Sequence, residues 1–324
     1  LHLEQYRHAT YAPEPYYEEA LRRDPGNSRC NNAMGSLLYR RGKFEEAEPY
    51  FRRAVERITS RNPNPYDGEP FYNLGLSLKM QGRFEEAYDS FYKAVWNAAG
   101  QAPSFFELAR LAGRAGRLED ALELVERALA LNGRYHKARH LKIALLRHIG
   151  KLAAAQTAIK ESLTEDPLEY GARWEHLLLT GDAVFSEFTN NNPDTLIELA
   201  LDYAHAGLFG DGVNVLKTSS ECRPMPMYVL GWIHEQAGEL KMAREAFQEA
   251  SACPADYCFP NRLEDVLAFE TAMQVNPEDP RAPYYLGNFW YAHRRYEEAI
   301  AAWEYARLLD DQFATVHRNL ALAY

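Results

Sequence analysis

The chain has 324 residues, 47% of them apolar and 25% charged, with a formal net charge of −10. This is the composition of a globular protein able to bury a sizeable core. No window approaches 18 uninterrupted apolar residues, which argues against a membrane span, and the acidic balance opposes phosphate backbones, so nucleic acid is the weakest class of partner.

In chain order one phrase keeps returning. It reads GKFEEAEPYFRRA at 42–54, GRFEEAYDSFYKA at 82–94, GRLEDALELVERA at 116–128 and GKLAAAQTAIKES at 150–162. It returns as GLFGDGVNVLKTS at 207–219, GELKMAREAFQEA at 238–250 and RRYEEAIAAWEYA at 294–306, with Arg294 in place of the leading glycine. Successive copies start 40, 34, 34, 57, 31 and 56 positions apart. The period is therefore 34, with one six-residue insertion and two gaps long enough to hide a degenerate copy. A second phrase precedes several copies: YNLG at 72–75, FELA at 106–109, YVLG at 228–231 and YYLG at 284–287. Each repeat is thus two helical segments joined by a short turn.

Within the phrase, Ala87 and Ala94 bracket Phe91 on one helical stripe. The small residues permit close approach of a neighbouring helix and the ring fills the remaining space. Gly42, Gly82, Gly116 and Gly150 fall where the chain reverses, and Pro25, Pro167 and Pro277 follow repeats where the second helix stops. One helix pair cannot bury its own apolar faces, whereas stacked pairs can.

This pattern resembles the tetratricopeptide repeat family. From Gly68 the matching residues are Leu74, Gly75, Leu78, Gly82, Phe84, Ala87, Phe91 and Ala94; from Pro224 they are Leu230, Gly231, His234, Gly238, Leu240, Ala243, Phe247 and Ala250. Phe71, Phe105 and Met227 stand where the family has tryptophan. The resemblance implies an all-α fold, a right-handed superhelical solenoid of antiparallel helix pairs. It divides the chain into N-terminal repeats over 1–169, a degenerate repeat over 170–192, and C-terminal repeats over 193–324, the last of them lacking its second helix. With HRNLALAY at 317–324 opening a repeat and Leu1 at the start, the chain reads as an excerpt of a longer protein.

In the family, first helices line a concave face, and repeat positions 2, 5, 9 and 12 project into it. Those positions hold Arg29, Asn32, Ser36 and Tyr39, then Glu69, Tyr72, Leu76 and Lys79. The third repeat supplies Pro103, Phe106, Arg110 and Gly113, with Arg114 beside it, and the fourth Lys137, His140, Ala144 and Arg147. This set is basic and aromatic. Residues 1–170 carry a net +2 and residues 171–324 a net −12, so the acidic excess is confined to the second half. The expectation is a cationic trough for an acidic peptide segment, set against solvated helix faces with no partner at all. The clamp some family members use for a terminal carboxylate has lysine and asparagine where this chain has Asn32 and Ser36, so that recognition is not carried over. Later repeats present Tyr228, Trp232 and Glu235, then Tyr284, Asn288 and Tyr291, with Trp174 nearby; these rings either stack on a partner or sugar, or pack against neighbouring helices.

The phrases FYKAVWNAA, CFPNRLED and APYYLGNFWYAHRRYEEAIAAWEYA also resemble the repeat-bearing C-terminal part of large bacterial proteins whose N-terminal domain is uncharacterised and carbohydrate-related. That resemblance implies carbohydrate reached through a linked domain, with catalysis outside this chain.

Signals for chemistry are few. His136 and His140 lie four apart on an expected helix, but no HExxH glutamate accompanies them and Lys137 and Arg139 lie between. There is no phosphate-binding GxxxxGK[ST], no GxSxG elbow and no CxxC pair. Of Cys30, Cys222, Cys253 and Cys258, the last two admit a disulfide, with incidental thiols the stronger reading and a reducing, cytoplasmic compartment the preference. The sequence therefore reads as a non-catalytic interaction scaffold that needs no cofactor.

Overall fold

The computed structural model describes residues 12–96, 100–182, 185, 192–219, 222–255 and 258–324. Eighteen α-helices occur among the described residues, and no strand. The chain forms two compact units, residues 1–112 with 117–138 and residues 113–116 with 139–324.

The first unit holds α1 (Glu14–Arg23), α2 (Ser28–Arg40), α3 (Phe44–Thr59), α4 (Glu69–Met80), α5 (Phe84–Ala94), most of α6 (Gln101–Arg114), and α7 (Leu118–Leu131). The second holds most of α8 (His136–His148), then α9 (Leu152–Glu165), α10 (Tyr170–Thr180), α11 (Pro193–His205) and α12 (Phe209–Leu216). It continues with α13 (Pro224–Gln236), α14 (Leu240–Ala252), α15 (Leu263–Val275), α16 (Arg281–Ala292), α17 (Tyr296–Leu309) and α18 (Ala314–Ala323). The degenerate repeat expected over 170–192 falls partly outside the described residues; within those bounds α10 runs from Tyr170 to Thr180 and ends at the left-handed Gly181.

The repeated phrase does the same physical work each time it appears. Its alanines are fully buried, as at Ala47 and Ala54, Ala87 and Ala94, Ala243 and Ala250, and Ala299 and Ala306. Its aromatic packs against the glycine of the preceding helix: Phe51 on Gly35, Phe91 on Gly75, Phe247 on Gly231 and Trp303 on Gly287. A Cβ on Gly75 would come within 2.7 Å of the Phe91 ring. The glycine is a seat for the ring, which explains why YNLG and YYLG recur one helix before the aromatic.

Each turn closes through a left-handed residue. At Gly82, φ is 74°, the glycine N–H donates to the Lys79 carbonyl at 3.0 Å, and the Arg83 N–H donates to the Leu78 carbonyl at 2.9 Å. Arg294 replaces the glycine in the α16–α17 turn and keeps its geometry, with φ 61° and the same pair of bonds to Tyr291 and Trp290 at 3.1 and 2.9 Å. It is the one non-glycine residue with positive φ among those described. A side chain in this region costs about 1–2 kcal/mol. Arg294→Gly is therefore expected to stabilise the second compact unit by about 1 kcal/mol, measured as a higher midpoint in urea; a lower midpoint would contradict this.

The 56-residue gap between the last two copies of the phrase contains α15, an extra helix without a partner of its own. It packs against α13 and α16, and its Phe269 ring lies 5.1 Å from Tyr228 and 5.7 Å from Tyr285. A disulfide joins Cys222, just before α13, to Cys253, just after α14. This corrects the reading of incidental thiols for Cys222 and Cys253, and the Cys253–Cys258 alternative with it: Cys258 is a free, buried thiol whose pKa burial pushes up to about 12. Disulfides persist in oxidising compartments, which pulls against the reducing compartment that the cysteine pattern favoured.

Candidate partner-binding surface

The first-helix face of the first compact unit is built from α2, α4 and α6. Asn32, Ser36, Glu69 and Asn73 form one connected ladder across α2 and α4. The Asn32 amide donates to Glu69 at 2.9 Å, and the Asn73 amide donates to the Asn32 oxygen at 2.9 Å and to Ser36 Oγ at 3.4 Å. Tyr39 and Tyr72 are half-buried beside it, their rings 5.5 Å from Phe44 and 5.6 Å from Phe91. Burial first, and the Glu107 carboxylate second, raise the Tyr72 hydroxyl above its ordinary pKa. Arg29 stands exposed at the edge of this face.

The expected cationic trough takes a different form. Lys79 Nζ lies 2.7 Å from Glu107 and Arg110 lies 3.1 Å from the same carboxylate, and all three side chains are more than nine-tenths buried. The Arg110 guanidinium also sits over the Phe106 ring at 4.2 Å, with Tyr135 4.8 Å away on that ring. Charges placed this way hold α4 to α6, because a buried cation is tolerable only when its carboxylate comes with it.

The second unit repeats the arrangement. Arg147 makes bonds of 2.7 and 3.1 Å to the fully buried Glu175 and a third of 2.9 Å to Asp211. His148 Nε2 lies 2.5 Å from Asp211, and the Tyr203 hydroxyl donates to Glu175 at 2.6 Å. Burial opposes charge on Asp211, but its bonds to His148 and Arg147 outweigh burial and hold it below the ordinary carboxylate range. Burial, then Glu175, raise Tyr203 well above its ordinary value. His140, expected on the surface, is buried with its ring edge against Tyr203 at 4.7 Å. Arg114 donates to the Gln236 side chain at 2.6 Å and lies over Phe209 at 5.2 Å. Lys137 is exposed.

The aromatic residues of the later repeats divide. Tyr228 is fully buried and donates to Asp279 at 2.7 Å, enclosed by the ring of α15 that the sequence could not place. Trp232 is buried with its ring 6.4 Å from His205, and Tyr284 is buried with its ring 4.8 Å from Phe313. Trp174 packs edge-on against Phe185 at 5.0 Å. Tyr291 alone of this group is exposed, between Tyr296 and Trp303 at 5.0 and 5.4 Å.

One position that the sequence reading left out organises all of this. The sixth residue of a repeat reaches back to the inner residues of the repeat before it. Asn73 bonds Asn32, Glu107 bonds Lys79, Glu175 bonds Arg147, and Asn319 bonds Asn288 at 2.9 Å. The signal was present in the sequence: Lys79 and Glu107, and likewise Arg147 and Glu175, are 28 residues apart, one period less six. Among the described residues no group of three or more His, Cys, Asp or Glu is placed to hold a metal ion, and no helix is long and apolar enough to cross a membrane.

Parts of the chain are similar to known proteins. A protein named cellulose synthase operon protein C, from Xanthomonas axonopodis pv. citri (strain 306), is 27% identical over 157 residues, 46% of this chain and 10% of that protein. The human protein IFIT1 homolog B is 29% identical over 119 residues, 35% of this chain and 24% of that protein. The matched part of the chain thus spans about a tenth and about a quarter of these relatives. The crystal structure of a tetratricopeptide repeat protein from Parabacteroides merdae ATCC 43184 aligns over 95% of this chain and 98% of its own, at 15% identity and a TM-score of 0.41. Sequence models of the tetratricopeptide repeat match residues 28–95, 106–170 and 266–324, more than half of the chain. Stacked helix pairs, seated rings and glycine turns therefore meet in one conclusion: the chain belongs to the tetratricopeptide repeat family.

Proposed function

We propose that the protein is a non-catalytic interaction scaffold that binds an extended segment of a partner protein along the first-helix face of α2 and α4. The observation that carries this reading is the half-buried ladder of Asn32, Ser36 and Asn73 flanked by Tyr39 and Tyr72. Asn73 uses its amide donors within the ladder and keeps its carbonyl oxygen for a partner's N–H, while the two tyrosines offer ring surface beside it. Lys79 and Arg110 are buried and share the Glu107 carboxylate, so neither cation is presented to a partner and the recognised segment is read by hydrogen bonds and ring contact rather than by acidic charge.

Peptides selected from a random phage library against the full chain test this reading. Asn73→Ala and Tyr72→Ala are each expected to weaken the selected peptides about fivefold or more. Raising NaCl from 50 to 500 mM is expected to change affinity by less than about threefold, since exposed charge pairs are the ones salt screens. Unchanged affinity in both variants overturns the reading, and a steep salt dependence restores the acidic-segment alternative.

A second reading is favoured by the match to a much longer protein named for a cellulose synthase operon. In it, the chain is the accessory repeat region of a larger bacterial carbohydrate-active protein, and catalysis lies in another domain. An immunoblot of the source cells with an antibody to this segment separates the two: a band near 37 kDa removes the second reading, and a far larger band supports it.

A further inference from the structure

A groove of about 610 Å³ runs between α9 and α10 in the second compact unit. Its α9 wall holds Gln156, Ile159, Lys160 and Leu163, whose spacing of three and four puts them on one helix face. Its α10 wall holds His176, Leu179 and Thr180, the seventh, tenth and eleventh residues of the repeat that opens at Tyr170. In other repeats those places are covered. On α4 they are Leu74, Ser77 and Leu78, and on α16 Leu286, Phe289 and Trp290, all buried. On α10, His176 and Leu179 are half-buried and Thr180 is exposed. The neighbours of α10 explain the difference. A first helix such as α4 packs between two second helices, α3 and α5, whereas among the described helices α10 packs against the second helix α9 and then directly against α11, a first helix. Its repeat is also short: α11 starts at Pro193, 23 positions after Tyr170, against a period of 34.

The groove carries positive charge that its own walls do not balance. Lys160 is exposed, and its ammonium makes no hydrogen bond or ion pair among the described residues. No Asp or Glu lines the groove. Of the two acids on α9, Glu165 lies 3.9 Å from Arg139 and Glu161 is outside the lining. The one acid on α10, Glu175, is buried against Arg147. The hydroxyls are satisfied within their own helices, Thr164 donating to the Lys160 carbonyl at 2.7 Å and Thr180 to the His176 carbonyl at 2.8 Å. A lone cation therefore borders an apolar floor of Ile159, Leu163 and Leu179.

We propose that this groove docks an amphipathic helix of a partner protein, with apolar side chains on Ile159, Leu163 and Leu179 and an aspartate or glutamate paired with Lys160. Two independent observations select that occupant. The first is shape: the flank of α10 lacks the second helix that covers other first helices, and a helix with one apolar face fits such a place. The second is charge: Lys160 is unpaired, so an acid on the incoming helix gains a partner and a cation meets repulsion. Reach is not limiting. Lys160 stands three positions before Leu163, and an acid three or four positions from an apolar contact on the incoming helix lies over the same stretch of groove. The groove belongs to the second compact unit and the face of α2 and α4 to the first, so either reading can fail alone.

The test uses the full chain and a phage library of helical peptides of 14 residues, the length of α9, randomised along one face. Clones that bind the chain and not its Leu179→Asp variant are remade as fluorescein-labelled peptides, and fluorescence anisotropy gives affinity. The recovered peptides are expected to carry Asp or Glu within one turn of Leu, Ile or Phe. Lys160 is exposed, so its reversal leaves the fold intact; Lys160→Glu is expected to weaken the peptides about fivefold or more. Lys93→Glu, at an exposed lysine on α5, is expected to leave affinity unchanged. Changing the peptide's acid to lysine is expected to restore binding to the Lys160→Glu chain, which loss of structure could not produce. Recovered peptides without an acid overturn the proposal, as does binding indifferent to Lys160→Glu, or the absence of any clone that distinguishes the chain from Leu179→Asp. A dimer of the chain alone in sedimentation, made monomeric by Lys160→Glu, also overturns it and makes a second copy the occupant.

Discussion

Phe91→Ala should lower the stability of the first compact unit by about 3–5 kcal/mol, the range for truncating a fully buried aromatic. Phe91 is 0% exposed, seated on Gly75 and in contact with Tyr72, and truncation leaves a cavity that two packed helices cannot close. Urea unfolding followed by the loss of helical circular dichroism reads this effect, because Trp96, the one tryptophan of this unit, is already exposed in the folded chain. Gly75→Ala attacks the same contact from the opposite side, with its Cβ 2.7 Å from the ring, and overpacking of this kind costs about 1–3 kcal/mol. In the double variant Gly75→Ala/Phe91→Leu the ring edge that clashes is gone. The combined loss should therefore fall short of the sum of the Gly75→Ala and Phe91→Leu losses, each measured alone, by at least about 0.5 kcal/mol. Full additivity would mean that the seat and the ring are independent.

The second large effect is expected at Glu175. Its carboxylate takes two bonds from Arg147 and one from Tyr203 in a site with no solvent access. Glu175→Ala leaves Arg147 with Asp211 alone and orphans the Tyr203 hydroxyl, which should destabilise the second compact unit by about 3–5 kcal/mol. Glu175→Gln keeps an acceptor for Tyr203 and should lose less, about 2 kcal/mol. Emission from Trp174, Trp232, Trp290 and Trp303, all in the second unit, follows this transition. A loss below about 1 kcal/mol in the alanine variant would show that Arg147 finds water or another carboxylate once Glu175 is removed.

What the sequence made legible was what a period can encode. The glycines at 42, 82, 116 and 150 mark turns, and Ala87, Phe91 and Ala94 share a buried stripe, because local geometry and small-versus-large packing repeat with the chain. The candidate site was legible only in part, for a physical reason. Lys79 and Arg147 do stand on first helices, but whether such a cation faces solvent or a carboxylate depends on a residue one repeat away. The projecting positions were read one repeat at a time, so Glu107 and Glu175 at the sixth place were passed over. Arg294 was seen as a missing glycine, yet its left-handed backbone follows from the turn and not from its own preference. The burial of Tyr228 required α15, whose pattern lacks the leading phrase.

The central claim is that the inner cations serve as bonds between successive repeats. A double-mutant cycle of Lys79→Met and Glu107→Gln, read by urea unfolding through helical circular dichroism, tests it most directly. The two side chains are buried, 2.7 Å apart and on successive first helices. A coupling energy of about 1–3 kcal/mol is the predicted result. Losses that add to within about 0.3 kcal/mol would contradict the account and return Lys79 to the pool of residues free to meet a partner.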